Sequence, residues 1–451
     1  MAVRYQGLDP DFPEHRAILA NTQAGILKGH GRDYSAFVFI RATAVSSIDE
    51  IVPLVNFHPQ SAAEQYDLAR QVAAGADSNQ PFKSILFSAT GFEKLRIPRR
   101  FFPKDIGFLR SMKYASRSIL NDPPVNEWDS FFQKDIDILV IVASQDRKVI
   151  ENEITSFIDC ISSTFKDGFE SHIIWSRTLR NSKNSTIDAF GFVDGISQPI
   201  FFKYDVDAYF QDNPMASWDP SIDPMNLVFV KDPVITNGFG SYAVFRQLKQ
   251  DSQQFKKATQ SVVDQLGISA DYAEAQIFGR FRDGTPLISS PNPVDPKKEI
   301  RDFTYDQDTD GAKCPFHAHI RKVNVRSGEE DFIFRQIARR GVPYQTNTSP
   351  SEEGLLFLCY QQDIGRQFEF LQSSWMNEPK FPPREGDVGV DPVAFTKPNS
   401  QTKGQIWRSK WEQPSRNIQF SINSFVDLKG GEYLYCPSPT FISEVLAASR
   451  G

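Results

Sequence analysis

Apolar residues recur along the chain in two rhythms, and their alternation predicts a mixed α+β fold. Positions 35–44, rich in Phe, Val and Ile, read as a strand, 61–76 as a helix and 82–89 as a strand. Positions 136–143 are an unbroken apolar run, which predicts a strand buried on both faces. Within 147–165, Ile150, Ile154, Phe157, Ile158, Ile161 and Phe165 return at helical spacing, so one face of that helix meets the core. A strand at 172–179 completes the order strand, helix, strand, strand, helix, strand of a ferredoxin-like unit.

The second half repeats this order with larger insertions. Strands are predicted at 242–248, 320–325, 331–338, 355–361, 418–426 and 433–435. Helices are predicted at 251–266, 272–280, 363–376 and 440–449, the third with Phe368, Leu371 and Trp375 on one face. Residues 1–34 read as an irregular lead-in and 378–414 as a long Pro/Gly/Lys-rich loop. The pattern implies two ferredoxin-like modules in tandem, 1–215 and 216–451, with the boundary inside the polar, Pro-containing stretch 204–224. No sequence identity links the halves, so the duplication rests on element order alone.

Composition narrows the function classes. A chain of 451 residues exceeds one ordinary core, which agrees with two modules. A formal net charge of −6 argues against nucleic acid as the main partner. Four scattered cysteines with no Cys-x-x-Cys pair give neither a disulfide framework nor a structural zinc site. Residues 1–15 are polar, without the apolar centre of a signal peptide, and no apolar run approaches the ~20 residues of a membrane span. A cytoplasmic protein without membrane partners is the expectation. Gly25, Gly29 and Gly31 surround Lys28 and His30, but no strand precedes them and no Gly-Lys-Ser/Thr follows, so they are not a phosphate loop.

Three short stretches carry candidate chemistry. The sequence has six histidines, and two of them stand together in Cys314-Pro315-Phe316-His317-Ala318-His319-Ile320-Arg321-Lys322. Imidazole is a common metal ligand. Two His at this spacing share a face in a strand but diverge on a helix, so spacing leaves both, one or neither at a site. The second stretch is Gly191-Phe192-Val193-Asp194-Gly195-Ile196-Ser197-Gln198-Pro199, where Asp-Gly taken alone is a turn. The third is Arg339-Arg340-Gly341-Val342-Pro343-Tyr344. In a strand its two arginines point to opposite faces, so one enters a pocket and the other is a solvated or paired charge.

Together these stretches resemble the dye-decolourising peroxidases, a haem family of two ferredoxin-like modules. Gly191-Phe192-Val193-Asp194-Gly195 matches the Gly-x-x-Asp-Gly signature, with the Ile-Ser-Gln-Pro continuation of the longer members. Residues 314–326 resemble the proximal segment, and Arg339 falls on the Arg of Arg-x-Gly-x-Pro-Tyr. The 23–31 stretch is also similar to the long, non-secreted group. His317 stands where a small residue is usual, Val325 replaces a common Pro, and Gln345 replaces a common Gly.

The resemblance implies one haem b per chain, with His319 as the iron ligand and His317 as its competitor. It implies Asp194 as acid/base toward hydrogen peroxide and Arg339 as the group that stabilises charge on the departing oxygen. Gly191 and Gly195 would let backbone approach the cofactor, Leu355 and Phe357 would wall the pocket, and Asp391 would hold the second nitrogen of His319. Electron donors would be small aromatic or bulky phenolic and dye-like molecules, reached through surface Trp or Tyr. Trp375, Trp407, Trp411, Tyr433 and Tyr435 are available for that, and none is singled out. An ordinary Asp pKa of about 3.9 implies a mildly acidic optimum. A monomer or homodimer is expected. A haem-binding or haem-delivery protein without turnover is the alternative reading.

Overall fold

The computed structural model describes residues 4–42, 52–76, 80–165, 168–233, 235–326, 330–346, 351–383, 386–394, 404–413 and 417–448. Its centre is a closed ring of eight antiparallel strands. The N-terminal half supplies β1 (Tyr34–Ala42), β2 (Phe82–Phe87), β3 (Ile138–Ser144) and β4 (Phe169–Arg177). The C-terminal half supplies β5 (Phe239–Gln250), β6 (Val342–Gln345), β7 (Glu353–Gln361) and β8 (Val426–Cys436). Each half is laid out in the same order, β4-β1-β3-β2 and β8-β5-β7-β6. That is the ferredoxin-like order, fourth-first-third-second, used twice.

Two narrow seams close the ring. Tyr435 pairs with Phe87, and Tyr344 pairs with Ser176. Side chains reinforce both. Gln23, fully buried, donates to the carbonyls of Ile85 and Pro437 at 2.9 and 2.8 Å, and Ser176 Oγ donates to the Pro343 carbonyl at 2.6 Å. Phenylalanines fill the interior. Phe39 of β1 lies 4.7 Å from Phe245 of β5, ring centre to ring centre, although the two strands are not neighbours in the sheet. The halves therefore share one core.

Helices cover the outside. α1 (Ala62–Ala73) begins with a reciprocal cap between Ser61 and Glu64, and α2 (Arg147–Thr164) buries Ile150, Ile154, Phe157 and Ile161. α3 (Ser252–Leu266) is capped by Asp251 and stopped by Gly267 in the left-handed region, and α4 (Ala270–Phe278) is stopped the same way by Gly279. Three of the four cysteines are buried and Cys160 is half-buried; all are free thiols. No helix among the described residues is long and apolar enough to cross a membrane.

Several expectations fail locally. Residues 320–325 are not a strand. His319–Val323 is a short helix, α5, in which Ile320 and Val323 share a face one turn apart. The run Ile-Arg-Lys-Val is too short for its period to decide between the two states. Residues 331–338 likewise divide into a turn of helix, Glu330–Ile333, and a two-residue strand, Ala338–Arg339, paired with β7. The lead-in contains a helix at Pro13–Ala20, started by Pro13. The long loop contains a strand, Gln405–Arg408, paired with Asn417–Phe420, so 418–426 is not one continuous strand. The 363–376 helix is wound as two π-helical turns, Gly365–Glu369 and Leu371–Met376, with hydrogen bonds such as Glu369 N to the Ile364 carbonyl at 2.9 Å.

Candidate active site

Alternation along the C-terminal strands creates the site. Phe245 points into the barrel, so its neighbour Arg246 points out, as do Leu248 and Gln250. Register places Phe357 beside Arg246, and Leu355 and Leu428 on either side of Leu248. This outer face is the floor of a cleft with about 2060 Å³ of empty space, its open mouth included. α5, the 188–199 loop, the end of α4 and the π-helical turns wall the cleft with Ile320, Phe192, Phe278, Phe368 and Met376. Leu355 and Phe357 both line it.

His319 opens α5 and faces the cleft. Its Nδ1 lies 2.7 Å from Asp391 Oδ2, and Asp391 is fully buried. The other oxygen, Asp391 Oδ1, accepts from the backbone N–H groups of Val393 at 2.8 Å and Ala394 at 3.1 Å. The carboxylate is thus fixed, and it turns Nδ1 into the donor, leaving Nε2 as the free ring nitrogen. Nearby, the Lys322 amine is fully buried and donates to the carbonyls of Trp375 and Glu378 at 3.1 and 2.6 Å. Burial pushes its pKa down to about 7, while Asp391 acts in the opposite sense. His317 turns away from the cleft. It is fully buried against Trp407, 4.4 Å between ring centres, and burial holds it neutral.

The 188–199 loop carries Asp194 into the same cleft. Gly191 and Gly195 have φ of +90° and +75°, and a Cβ at Gly191 would lie 2.7 Å from Arg282 Nη1. Both positions need glycine. Asp194 N–H donates to the Thr186 carbonyl at 3.0 Å, and Asp188 Oδ1 accepts from Phe192 N–H at 2.9 Å, so the turn is held at both ends. Asp188 also lines the cleft, and burial with the nearby Asp194 charge pushes its pKa up to about 7. Arg339 joins the third stretch to the second. Its N–H donates to Gln198 Oε1 at 3.1 Å and its Nη2 to the Ile196 carbonyl at 2.8 Å. Arg340 points the other way and is half-buried, and among the described residues no carboxylate lies at ion-pair distance from it. It donates to the carbonyls of Gly25, Ile26 and Arg339.

Two arginines escaped the sequence reading. Arg280 and Arg326 both line the cleft, both are buried, and both donate to Ser197 Oγ, at 2.7 and 3.0 Å. Neither has a carboxylate at ion-pair distance among the described residues, whereas Arg246 is paired with Asp122 at 2.6 Å. Burial pushes each of the two down to about 10. Both also donate to backbone carbonyls, so two buried guanidiniums without an ion-paired carboxylate line the cleft. Their sequence signal was weak: Arg326 closes the 314–326 stretch but was given no role there, and Arg280 lies just past α4, far from it in sequence. Of the aromatic residues available as a surface relay, Trp375, Trp407, Tyr433 and Tyr435 are buried, and only Trp411 is partly exposed.

Comparison with known proteins now bears directly on this geometry. Residues 21–173 match the DyP dimeric alpha+beta barrel domain, and residues 212–381 match the C-terminal domain of Dyp-type peroxidases. The multifunctional dye peroxidase DyP2 of an Amycolatopsis species is 31% identical over 95% of this chain and 96% of its own. The chain belongs to the DyP-type peroxidase family. A DyP-type peroxidase of Anabaena superposes with a TM-score of 0.88 at 33% identity, covering 98% of this chain and 97% of that one. A dye-decolorizing peroxidase of Mycetinis scorodonius is 27% identical over 95% of this chain and 88% of its own. The protein is accordingly a peroxidase of the DyP type, and the tandem ferredoxin-like barrel is that family's fold.

Proposed function

We propose that this DyP-type peroxidase holds one haem b in the cleft beneath α5 and works on hydrogen peroxide with Asp194 and Arg339. The donor set fits that group. His319 offers Nε2, with Nδ1 engaged by Asp391. Leu355, Phe357, Phe368 and Ile320 offer apolar walls for a porphyrin. Arg280 and Arg326 offer two cations for its two propionates. When bound, the haem iron supplies the redox chemistry that splits peroxide and then draws single electrons from aromatic donors.

The chain's own residues do the rest. The Asp194 carboxylate takes a proton from one peroxide oxygen and returns it to the other as the O–O bond breaks. The Arg339 guanidinium, held by the Ile196 carbonyl while Gln198 holds its backbone N–H, donates to the oxygen on which charge builds. The apolar walls keep bulk water from that oxygen pair. The observation that carries this reading is that Asp194, Arg339 and an imidazole held by a buried carboxylate, remote in sequence, line one apolar cleft.

Rapid mixing of haem-loaded protein with peroxide tests the proton role. Asp194→Asn is expected to retain haem but slow the peroxide-driven absorbance change by about 10²–10⁴-fold. An unchanged rate would remove Asp194 from the mechanism.

A further inference from the structure

We propose that a second cavity, directly behind the Asp194 loop, is a binding site for a small oxyanion. It encloses about 910 Å³ of empty space, its open mouth included. Gly195, Gln198, Arg339 and Gly341 line both cavities and form the partition between them. The far wall is the 25–32 stretch, with His30 and Arg32; Arg180 and Arg340 also line the cavity, and most of the remaining lining is apolar, Phe37, Phe82, Ile141 and Leu358 among it.

The charge of this cavity is one-sided. Four arginines line it and, among the described residues, no Asp or Glu does. Arg180 is held by Asp33 at 2.5 Å, just outside the lining. Arg32, Arg339 and Arg340 have no carboxylate at ion-pair distance among the described residues. Arg32 Nη2 reaches the Gln80 carbonyl at 3.5 Å, while its Nε is buried with no hydrogen-bond partner among the described residues. Arg340 is satisfied only by carbonyl dipoles, which leave its net charge in place. His30 Nδ1 accepts from Arg32 N–H at 3.0 Å, so Nε2 carries the ring proton and is a further donor. Burial and the adjacent Arg32 push His30 down to about 4, so it stays neutral and does not add charge. Neutral peroxide does not offset such a field, whereas an oxyanion does, and it accepts from several N–H groups at once. Nitrate, sulfate and small carboxylates have the required chemistry. The ligand would sit against Arg339, so its presence would compete for the guanidinium that the proposed mechanism uses.

Isothermal titration of the haem-loaded protein with nitrate, and separately with sulfate, at constant ionic strength tests this. The expected result is one saturable site, with affinity weakened about tenfold or more in both Arg32→Gln and Arg180→Gln. These variants lie on separate segments, and haem content and thermal midpoint report whether each is folded. The haem absorbance should not shift on anion binding. Heat without saturation, equal affinity in both folded variants, or a shifted haem band would each overturn the site. The kinetic consequence alone rests on the proposed mechanism: the anion should slow the peroxide step in wild type, and the concentration for half that effect should rise about tenfold or more in Arg32→Gln. A normal rate in Asp194→Asn would sink the proton role and leave the anion titration standing.

Discussion

Replacing Asp391 by Asn isolates one proton. Asp391 is fully buried and makes three hydrogen bonds, one to His319 Nδ1 and two to the backbone of Val393 and Ala394. Asn keeps the Oδ1 that accepts from Val393 and Ala394, so the loop stays capped. It puts an NH2 donor where Oδ2 faced the imidazole. His319 Nδ1 must then accept, and the ring proton moves to Nε2, the nitrogen offered to iron. Binding a metal would first require removing that proton. Partners of this kind are worth about 10–100-fold in metal affinity, roughly 1.4–2.8 kcal/mol. Asp391→Ala is a poorer test, because it orphans three donors at about 1–3 kcal/mol each and unsettles the fold as well. Haem transfer to an excess of a high-affinity apo-globin, followed by absorbance, reads the effect. Asp391→Asn should release haem about 10–100-fold faster than wild type while its apoprotein melts at nearly the same temperature. Equal transfer rates would refute the argument that Asp391 sets the tautomer of His319.

Other consequences follow from the same geometry. Arg280→Leu and Arg326→Leu should each weaken haemin binding by about tenfold in a spectroscopic titration; unchanged affinity in both would leave these arginines a structural role, through Ser197 and the backbone carbonyls they hold. Asp188 has its pKa raised to about 7 in the fold, above the value it has when unfolded. The folded state therefore binds the extra proton between about pH 4 and about 7, and stability falls as pH rises through that window. Asp188→Asn should flatten this part of the thermal-midpoint profile, and a profile parallel to wild type would show that Asp188 does not titrate there.

The parts of the molecule that follow from long periodic patterns were legible in the sequence. The apolar run that became β3 and the stripe of Ile150, Ile154, Phe157 and Ile161 on α2 leave little room for another state. The repeated strand order was only partly legible: β5, β7 and the end of β8 fall on predicted strands of the second half, whereas β6, Val342–Gln345, was not predicted. Short elements were not. α5 has five residues, and whether Ile320 and Val323 are read with period two or period 3.6 depends on where the cleft lies, which is tertiary information. The grouping of His319, Asp194 and Arg339 came from motif order, and the cleft they share required the register of β5, β7 and β8. Arg280 and Arg326 were invisible because what singles them out is burial without a counter-charge. Arg340 was misjudged because three backbone carbonyls took the place of the carboxylate or water expected for a lone guanidinium.

The most direct test of the central claim is the absorption and electron paramagnetic resonance spectrum of the haem-loaded protein, compared for wild type, His319→Ala and His317→Ala. Wild type and His317→Ala should both show histidine-ligated ferric haem. His319→Ala should lose that signature or hold haem weakly, and added imidazole should restore it. A wild-type spectrum in His319→Ala, or its loss in His317→Ala instead, would contradict the placement of haem against α5.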